Sequence, residues 1–306
     1  MSTFILVNPS SRSGATGRRI PELETLLRKY VGDYQLLLTE REGDGERLAR
    51  IAAERGATCL VIAGGDGTVS EAVSGLLQCG RAYAVEIGLL PVGTGRDFAR
   101  LLGLGTDLEA SVARLSTGKR RQVDAGRIRC RASDGGERVR CFLNIASIGL
   151  SAESARWLAA RGKRGRRGPL SYVASALVGL FRYAMPLVTI RVDDRIVHEG
   201  RLSLAAAGKG QYFAGGMRVA PGASIDDGLL DVVVVEGMSI AASLLSFPSL
   251  IAGRHVHNRH VHVHRGTAVR AESAAPVWIE ADGEPVGVLP ATIEVLPGTV
   301  RLCGLP

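Results

Sequence analysis

Along the first third of the chain, short apolar runs alternate with longer segments in which apolar residues recur every three or four positions. TFILVNP, YQLLLTE, TCLVIA and EIGLLP have the length and composition of buried strands, whereas RIPELETLLRKY, GERLARIAAERG and VSEAVSGLL carry the 3.6-residue period of helices. Glycine or proline punctuates the boundaries, and DFARLLGL follows the fourth strand as another helical start. Such a series predicts a parallel sheet between helices, with ligands at the carboxyl ends of its strands.

Near residue 122 the pattern changes to short strand runs: RQVDAGRIRC, RVRCFLNIASIG, VTIRVDD, RLSLAAAG, LLDVVVVEG, HVHVHRGTAVRAES, VWIEADGEPV and ATIEVLPGTVRLC. Asp-Gly and Asp-Asp pairs separate several of them, which predicts an antiparallel sandwich or barrel-like second domain. Helical patterns interrupt it at roughly 151–161 and 169–184. Two windows are strongly apolar, LSYVASALVGLFRYAMPLV and SIAASLLSFPSLIAG. The first holds Arg182 and the second is short and holds Pro248, so both are expected to be amphipathic or buried helices rather than membrane spans.

Composition narrows the picture. With 306 residues, 46 % hydrophobic and 22 % charged, the chain has the makings of two folded domains and not of a disordered segment. The formal charge of +8 favours anionic partners: nucleotides, nucleic acids or acidic membranes. Five cysteines, odd in number and without a C-x-x-C pair, argue against a disulfide framework or a zinc site and for a reducing compartment. The start, MSTFILVNPSSRSG, lacks the basic and apolar regions of a signal peptide.

The most informative stretch is VIAGGDGTVSEAVSGLL. A glycine turn between a strand and a helix presents N–H groups and the positive end of the helix dipole to an anion, yet Asp66 stands in its middle. A divalent cation bridging Asp66 to phosphates would remove the conflict. The plainer reading is a tight turn whose helix is capped by Thr68 with Glu71, a capping-box spacing. Neither the G-x-x-x-x-G-K-[ST] loop nor the G-x-G-x-x-G fingerprint is present, which disfavours a Walker-type NTPase and an ordinary dinucleotide dehydrogenase.

A second glycine turn follows in LLPVGTGRDFAR, where Gly93 and Thr94 precede Asp97 at a helix start; Asp97 also fits a simple dipole-complementing role. Asn8 in VNPSSRSG ends the first strand at the same edge. Asp226 and Asp227 in SIDDGLLDVVVV read as a hairpin turn or as part of a metal site, and IEADGEPVG reads as an Asp-Gly turn with Glu284 just beyond, either a turn charge or a general base. RHVHNRHVHVHRG gathers His255, His257, His260, His262 and His264 in an alternation that predicts an edge strand with an adventitious metal-binding face. The basic run Arg161, Lys163, Arg164, Arg166 and Arg167 reads as a solvated loop or a lip facing an anionic membrane. Without interleaved aromatic residues or a known module, nucleic acid is not the expected partner.

Taken in order, VNPSS, GGDGTVSEAVSGL, PVGTGRDFAR, VDAGRI, FLNIASIGL, IDDGLLDVVVV and DGEPVG resemble the diacylglycerol kinase catalytic family, the bacterial soluble lipid kinases related to sphingosine and ceramide kinases. The resemblance implies an α/β nucleotide-binding domain over 1–122, completed by 297–306, a β-rich antiparallel sandwich domain over 123–296, and a cleft between them in which ATP with Mg2+ phosphorylates a lipid hydroxyl. Carried over by motif, it implies a phosphate loop of Gly64, Gly65, Asp66, Gly67 and Thr68, with Thr39 and Thr94 as further ATP contacts and Glu284 as general base. It also implies a structural metal on Asp227 and the backbone oxygens of Ser224 and Leu229, and acidic positions near a catalytic metal at Asp97 and Asp124. Arg96 departs from the family, where asparagine is common.

The implied partner is a lipid with a free hydroxyl, met by peripheral contact with an anionic membrane at its cytoplasmic inner face; a homodimer is left open. The competing enzyme is an NAD kinase, which shares GGDGT but not the tail with DDGLLD and DGEP. A silent lipid or nucleotide sensor is the third reading, disfavoured because a sensor needs neither Asp66 nor Glu284.

Overall fold

A computed structural model describes residues 2–41, 43–93, 96–160, 179 and 183–306. The chain divides into two compact units, Met1–Val123 with Gly298–Pro306, and Asp124–Pro297. Thr94, the basic run at 161–167 and nearly all of the apolar pattern at 169–184 lie outside the described residues.

The first unit runs β1 (Thr3–Val7), α1 (Ala15–Arg18), α2 (Ile20–Tyr30), β2 (Gln35–Leu38), α3 (Asp44–Glu54), β3 (Cys59–Ala63), α4 (Asp66–Gln78), β4 (Glu86–Leu90), α5 (Asp97–Leu101) and α6 (Leu108–Thr117). The strands lie parallel in the order β2-β1-β3-β4, and Arg301–Cys303 near the end of the chain adds a further parallel strand beside β4. β1, β3 and β4 are buried on both faces, which is why they read as unbroken apolar runs. Leu23 and Leu27 of α2 and Leu108, Val112 and Leu115 of α6 cover one face. α3 and α4 pack closely at Gly75, where a Cβ would lie 2.3 Å from Glu46 O. The hydrophobic pattern had not marked α6; the Asp107 side chain caps it by accepting from Ala110 N.

Two strands continue from one unit into the other: β5 (Lys119–Arg131) and the 22-residue β14 (Glu284–Leu305). The rest of the second unit is β6 (Glu137–Phe142), β7 (Ile145–Gly149), α7 (Leu150–Ala160), β8 (Leu187–Val192), β9 (Arg195–Gly208), β10 (Leu230–Glu236), α8 (Ile240–Ile251), a 3-10 turn (His255–His257), β11 (Val261–Gly266), β12 (Ala268–Glu272) and β13 (Trp278–Ala281). Antiparallel pairing runs β9-β8-β12-β14 and returns β14-β13-β7-β9, so six strands close on themselves. β10 and β11 extend from β9, and one core fills the ring, with Phe142, Ile148, Ile190, Leu202 and Ile279 at most 1 % exposed. The sandwich or barrel-like second domain is thus a closed antiparallel ring. Two of the acidic turn pairs are two-residue hairpin turns with positive φ, Asp193-Asp194 (46° and 65°) and Asp282-Gly283 (49° and 86°), whereas Asp226-Asp227 is not a hairpin turn but lies in the long connection between β9 and β10.

Three local expectations need correction. RVRCFLNIASIG is two strands, not one, because the N–H groups of Leu143, Asn144 and Ile145 turn to the Asp282 carboxylate. The histidine run is not one edge strand: His255 and His257 form the 3-10 turn, and His255 is buried with Nε2 3.0 Å from Val219 O. The helix of SIAASLLSFPSLIAG, α8, has no buried residue and is neither a buried nor an ordinary amphipathic helix. Among the described residues no helix is long and apolar enough to cross a membrane.

Candidate active site at the carboxyl edge of the parallel sheet

Register places the first group of residues. Val7 pairs with Leu38 and Ala63, and Ala63 with Leu90, so Asn8, Thr39, Gly64 and Pro91 leave the sheet side by side. The ladder runs one residue further through Asn8 N to Ala63 O (3.0 Å), Thr39 N to Val7 O (3.0 Å) and Gly64 N to Leu90 O (3.4 Å). Four of the sequence-predicted positions, Asn8, Thr39, Gly64 and Gly93, are thereby brought to one edge.

Glycine is required there by contact. A Cβ on Gly93 would lie 2.3 Å from Gly65 Cα and 2.4 Å from Gly65 N, and Gly93 N donates to Gly64 O at 3.1 Å. The two glycine turns touch backbone to backbone. A Cβ on Gly64 would lie 2.7 Å from Thr68 Cβ. Thr68 Oγ1 accepts from Asn8 Nδ2 (3.0 Å), and Thr16 Oγ1 donates to Val92 O (3.3 Å), so the polar loop after β1 is tied to both turns.

The helix start differs from the expected capping box. α4 begins at Asp66 behind Gly65, which makes no side-chain cap, so Gly67 and Thr68 belong to its first turn. Glu71 reaches instead to Gly43 N (3.1 Å) and Gly45 N (3.0 Å) at the start of α3. The first-turn N–H groups of a helix have no partner within the helix, which is the feature an anion uses.

Asp66 turns toward α5. Its Oδ2 accepts from Asp97 N (3.0 Å) and its Oδ1 from Phe98 N (3.4 Å), while Asp97, 4 % exposed, holds Arg100 Nη1 at 3.2 Å. Gly64, Gly65, Asp66, Pro91, Arg96 and Phe98 line a hollow at this edge. A carboxylate oxygen can accept more than one contact, so a carboxylate placed beside a phosphate-sized turn is of the kind that Mg2+ or its water takes. Among the described residues no three His, Cys, Asp or Glu side chains form a ready metal cage. The residues fit Mg2+ of the kind that arrives on phosphates and takes one or two carboxylates from the protein.

In the second unit the expected metal donors have another occupant. Lys209, fully buried, places Nζ 2.8 Å from Asp124 Oδ2, 2.8 Å from Asp227 Oδ1 and 2.6 Å from Leu229 O. Those three oxygens use all three ammonium donors. Asp124 Oδ2 also accepts from Gly228 N (2.8 Å), Asp227 pairs with Arg265, and Ser224 Oγ donates to Asp226 Oδ1 (3.1 Å). Burial pushes the Asp227 carboxyl up, but hydrogen bonds from Lys209 and Leu229 N and the charge of Arg265 outweigh it and hold it below the usual range. A metal on Asp227, Ser224 and Leu229 does not fit, because the ammonium already fills the position, and Asp124 is a partner of Lys209. Nothing local in the sequence identified Lys209, a lone cation at the end of a small-residue strand.

Glu284 opens β14 opposite Ala281 and is half-buried. The turn before it is anchored twice: Asp282 accepts the three N–H groups already named, and Glu280 accepts from Gly283 N at 2.7 Å and from Ser147 Oγ. Glu280 is fully enclosed; burial, with the charges of Asp282 and Glu284 adding to it, raises its carboxyl to about 8 against the hydrogen bonds. Sequence reasoning missed Glu280 and the anchoring role of Asp282, since the partners of both are remote in sequence.

Comparison with known proteins bears on the two-part fold and the family. Residues 2–128 match the diacylglycerol kinase catalytic domain, and residues 144–304 match the YegS C-terminal NAD kinase beta sandwich-like domain. A diacylglycerol kinase of Staphylococcus saprophyticus is 27 % identical over 288 residues, covering 94 % of this chain and 90 % of the relative. A Salmonella schwarzengrund protein named "Probable lipid kinase YegS" is 26 % identical over 307 residues, covering 100 % of this chain and 96 % of the relative. A crystal structure described as a diacylglycerol kinase from Bacillus anthracis str. Sterne shares the fold at TM-score 0.73 and 21 % identity, over 99 % of this chain and 96 % of that one. With both domain types matched in order along its length, the chain belongs to the lipid kinase family that joins a diacylglycerol kinase catalytic domain to a YegS C-terminal NAD kinase beta sandwich-like domain.

Proposed function

We propose that the chain is an ATP- and Mg2+-dependent kinase that moves the γ-phosphate of ATP to the hydroxyl of a diacylglycerol-like lipid. The observation that carries this reading is the backbone contact of the two glycine turns beside the first turn of α4. Side-chain-free turns next to a helix N-terminus let a polyphosphate approach the backbone closely. Gly64, Gly65, Gly67, Thr68 and Gly93 receive the phosphates, with Asn8 ordering Thr68, Thr39 and Thr94 serving as further nucleotide contacts, and Asp97 holding the start of α5. Mg2+, held by Asp66 directly or through water, would offset phosphate charge.

In the transfer itself the lipid oxygen forms a bond to the γ-phosphorus as the bond to the ADP oxygen breaks, and the hydroxyl proton passes to Glu284. Phosphoryl transfer asks mainly for positioning and charge stabilisation, which fixed loops supply. The proposed place of action is the cytoplasmic inner face of a membrane, where ATP and lipid are both within reach.

The test is γ-labelled ATP with Mg2+ and detergent-solubilised lipid extract, comparing wild type with Glu284→Gln. Labelled lipid is expected only with wild type, and the variant should lose roughly a hundred- to ten-thousand-fold in turnover while still binding ATP. Label in NAD instead of lipid would move the assignment to an NAD kinase. ATP binding with no labelled product would leave a sensor.

A further inference from the structure

The polarity of α8 is inside out. Its sequence, IAASLLSFPSLI, contains no charged residue. Ile240, Ala241, Leu244, Leu245, Pro248 and Ile251 are its exposed positions, spaced three and four apart so that they form one stripe, and every one is apolar. Leu245 is 84 % exposed, Ile251 50 %, Leu244 40 % and Ile240 37 %. The three serines lie on the other side: Ser249 Oγ donates to Ser246 O (2.6 Å), and Ser246 Oγ accepts from Asn258 Nδ2 (3.4 Å). Leu250 is the helix residue that packs on the core beneath. An ordinary surface helix turns its apolar stripe to the core. Single exposed leucines are common on proteins, but a continuous row of large aliphatic side chains marks a contact surface.

Length and charge indicate what covers it. At 12 residues the helix is too short to span a bilayer, but a short helix with one apolar face suits a segment lying in the lipid interface. Cations stand at both ends: the Arg201 backbone is bonded to Gly237 N (2.7 Å) just before the helix, and exposed Arg254 and Arg259 follow it. The nearby acid, Glu236, is engaged by His262 (2.9 Å) and His260 (3.3 Å). A second copy seated on the same stripe would bring the two sets of arginines to one rim, like charge against like. Anionic headgroups around acyl chains complement both the stripe and its ends.

We propose that α8 is an interfacial docking helix that seats the second unit on an anionic lipid surface. Ile240, Leu244, Leu245 and Ile251 enter the acyl boundary while Arg254 and Arg259 meet headgroup phosphates. This rests on the lipid-kinase reading, since the phosphate acceptor then resides in that surface.

Co-sedimentation of the full chain with vesicles of phosphatidylcholine, with and without phosphatidylglycerol, tests it. Wild type should bind the anionic vesicles and release as salt is raised. The double variant Leu244→Ser with Leu245→Ser should bind them roughly tenfold or more weakly, with an unchanged or higher melting temperature and unchanged activity on detergent-solubilised lipid. Arg254→Glu should weaken binding to the anionic vesicles alone. Equal binding by wild type and the double variant, or no binding by wild type, overturns the proposal. A wild-type dimer that the double variant makes monomeric, with vesicle binding unaffected, would assign the stripe to self-association instead. Vesicle binding without phosphorylation of any lipid would sink the kinase reading and leave the docking result standing.

Discussion

The acidic residues of the first unit and those of the second serve opposite ends. Asp66 at the carboxyl edge of the parallel sheet accepts backbone N–H groups of α5 and borders a hollow, so its charge is oriented toward a place where a ligand can arrive. Asp124 and Asp227 close around the buried ammonium of Lys209, so their charge is already answered within the protein. The same residue type, near glycines in both cases, borders a hollow in one unit, where we propose a ligand binds, and forms a structural clamp in the other. What separates them is the kind of group each acid faces: backbone N–H groups of α5 for Asp66, a buried ammonium for Asp124 and Asp227.

The largest expected effect tests the clamp. Lys209→Met leaves two clustered carboxylates without their shared donor and should cost about 3–5 kcal/mol of stability, read from denaturant midpoints. Added Mg2+ or Ca2+ should stabilise Lys209→Ala more than wild type, and wild type should not respond to chelator. A wild-type midpoint that falls with chelator would erase the distinction between the two acid clusters.

Next in size is the hollow beside Asp66. Asp66→Asn keeps an acceptor for the α5 N–H groups but loses the charge, so turnover should fall roughly a hundredfold or more while stability changes by about 1 kcal/mol or less. Equal turnover would mean that Asp66 is only a cap. Gly93→Ala forces a methyl against Gly65 and should cost about 1–3 kcal/mol, together with weaker ATP binding by titration calorimetry.

The last effect concerns the turn before Glu284 and depends on pH. The Glu280 carboxyl sits at about 8 when folded, against about 4.5 when free. Between those values the folded chain holds a proton that the unfolded chain releases, so this group's contribution falls as pH rises from about 4.5 to about 8 and is level outside that window. Glu280→Gln cannot ionise, so its stability relative to wild type should improve from pH 5 to pH 9, by the order of 1 kcal/mol or more. Parallel midpoint curves for the two proteins would refute it.

Much of this was legible before any coordinates. The strand-helix alternation of the first unit, the Asp-Gly and Asp-Asp hairpin turns and the glycine-lined edge follow from patterns that repeat within a few residues. The misreadings share a cause. Glu71 has the spacing to cap its own helix but serves the start of α3, 26 and 28 residues earlier in the chain. The DDGLLD motif displays oxygen donors, while the cation they bind comes from the end of β9.

By itself, then, the order of residues determined the elements, the turns and the kinds of group at each strand end, because backbone conformation and hydrophobic period are local properties of the chain. Tertiary structure alone decided how charges are answered and which faces are covered. Whether Asp66 faces a hollow, whether Asp227 holds a metal or Lys209, and whether the apolar stripe of α8 turns in or out depends on groups distant in sequence that only packing brings within hydrogen-bond or van der Waals reach.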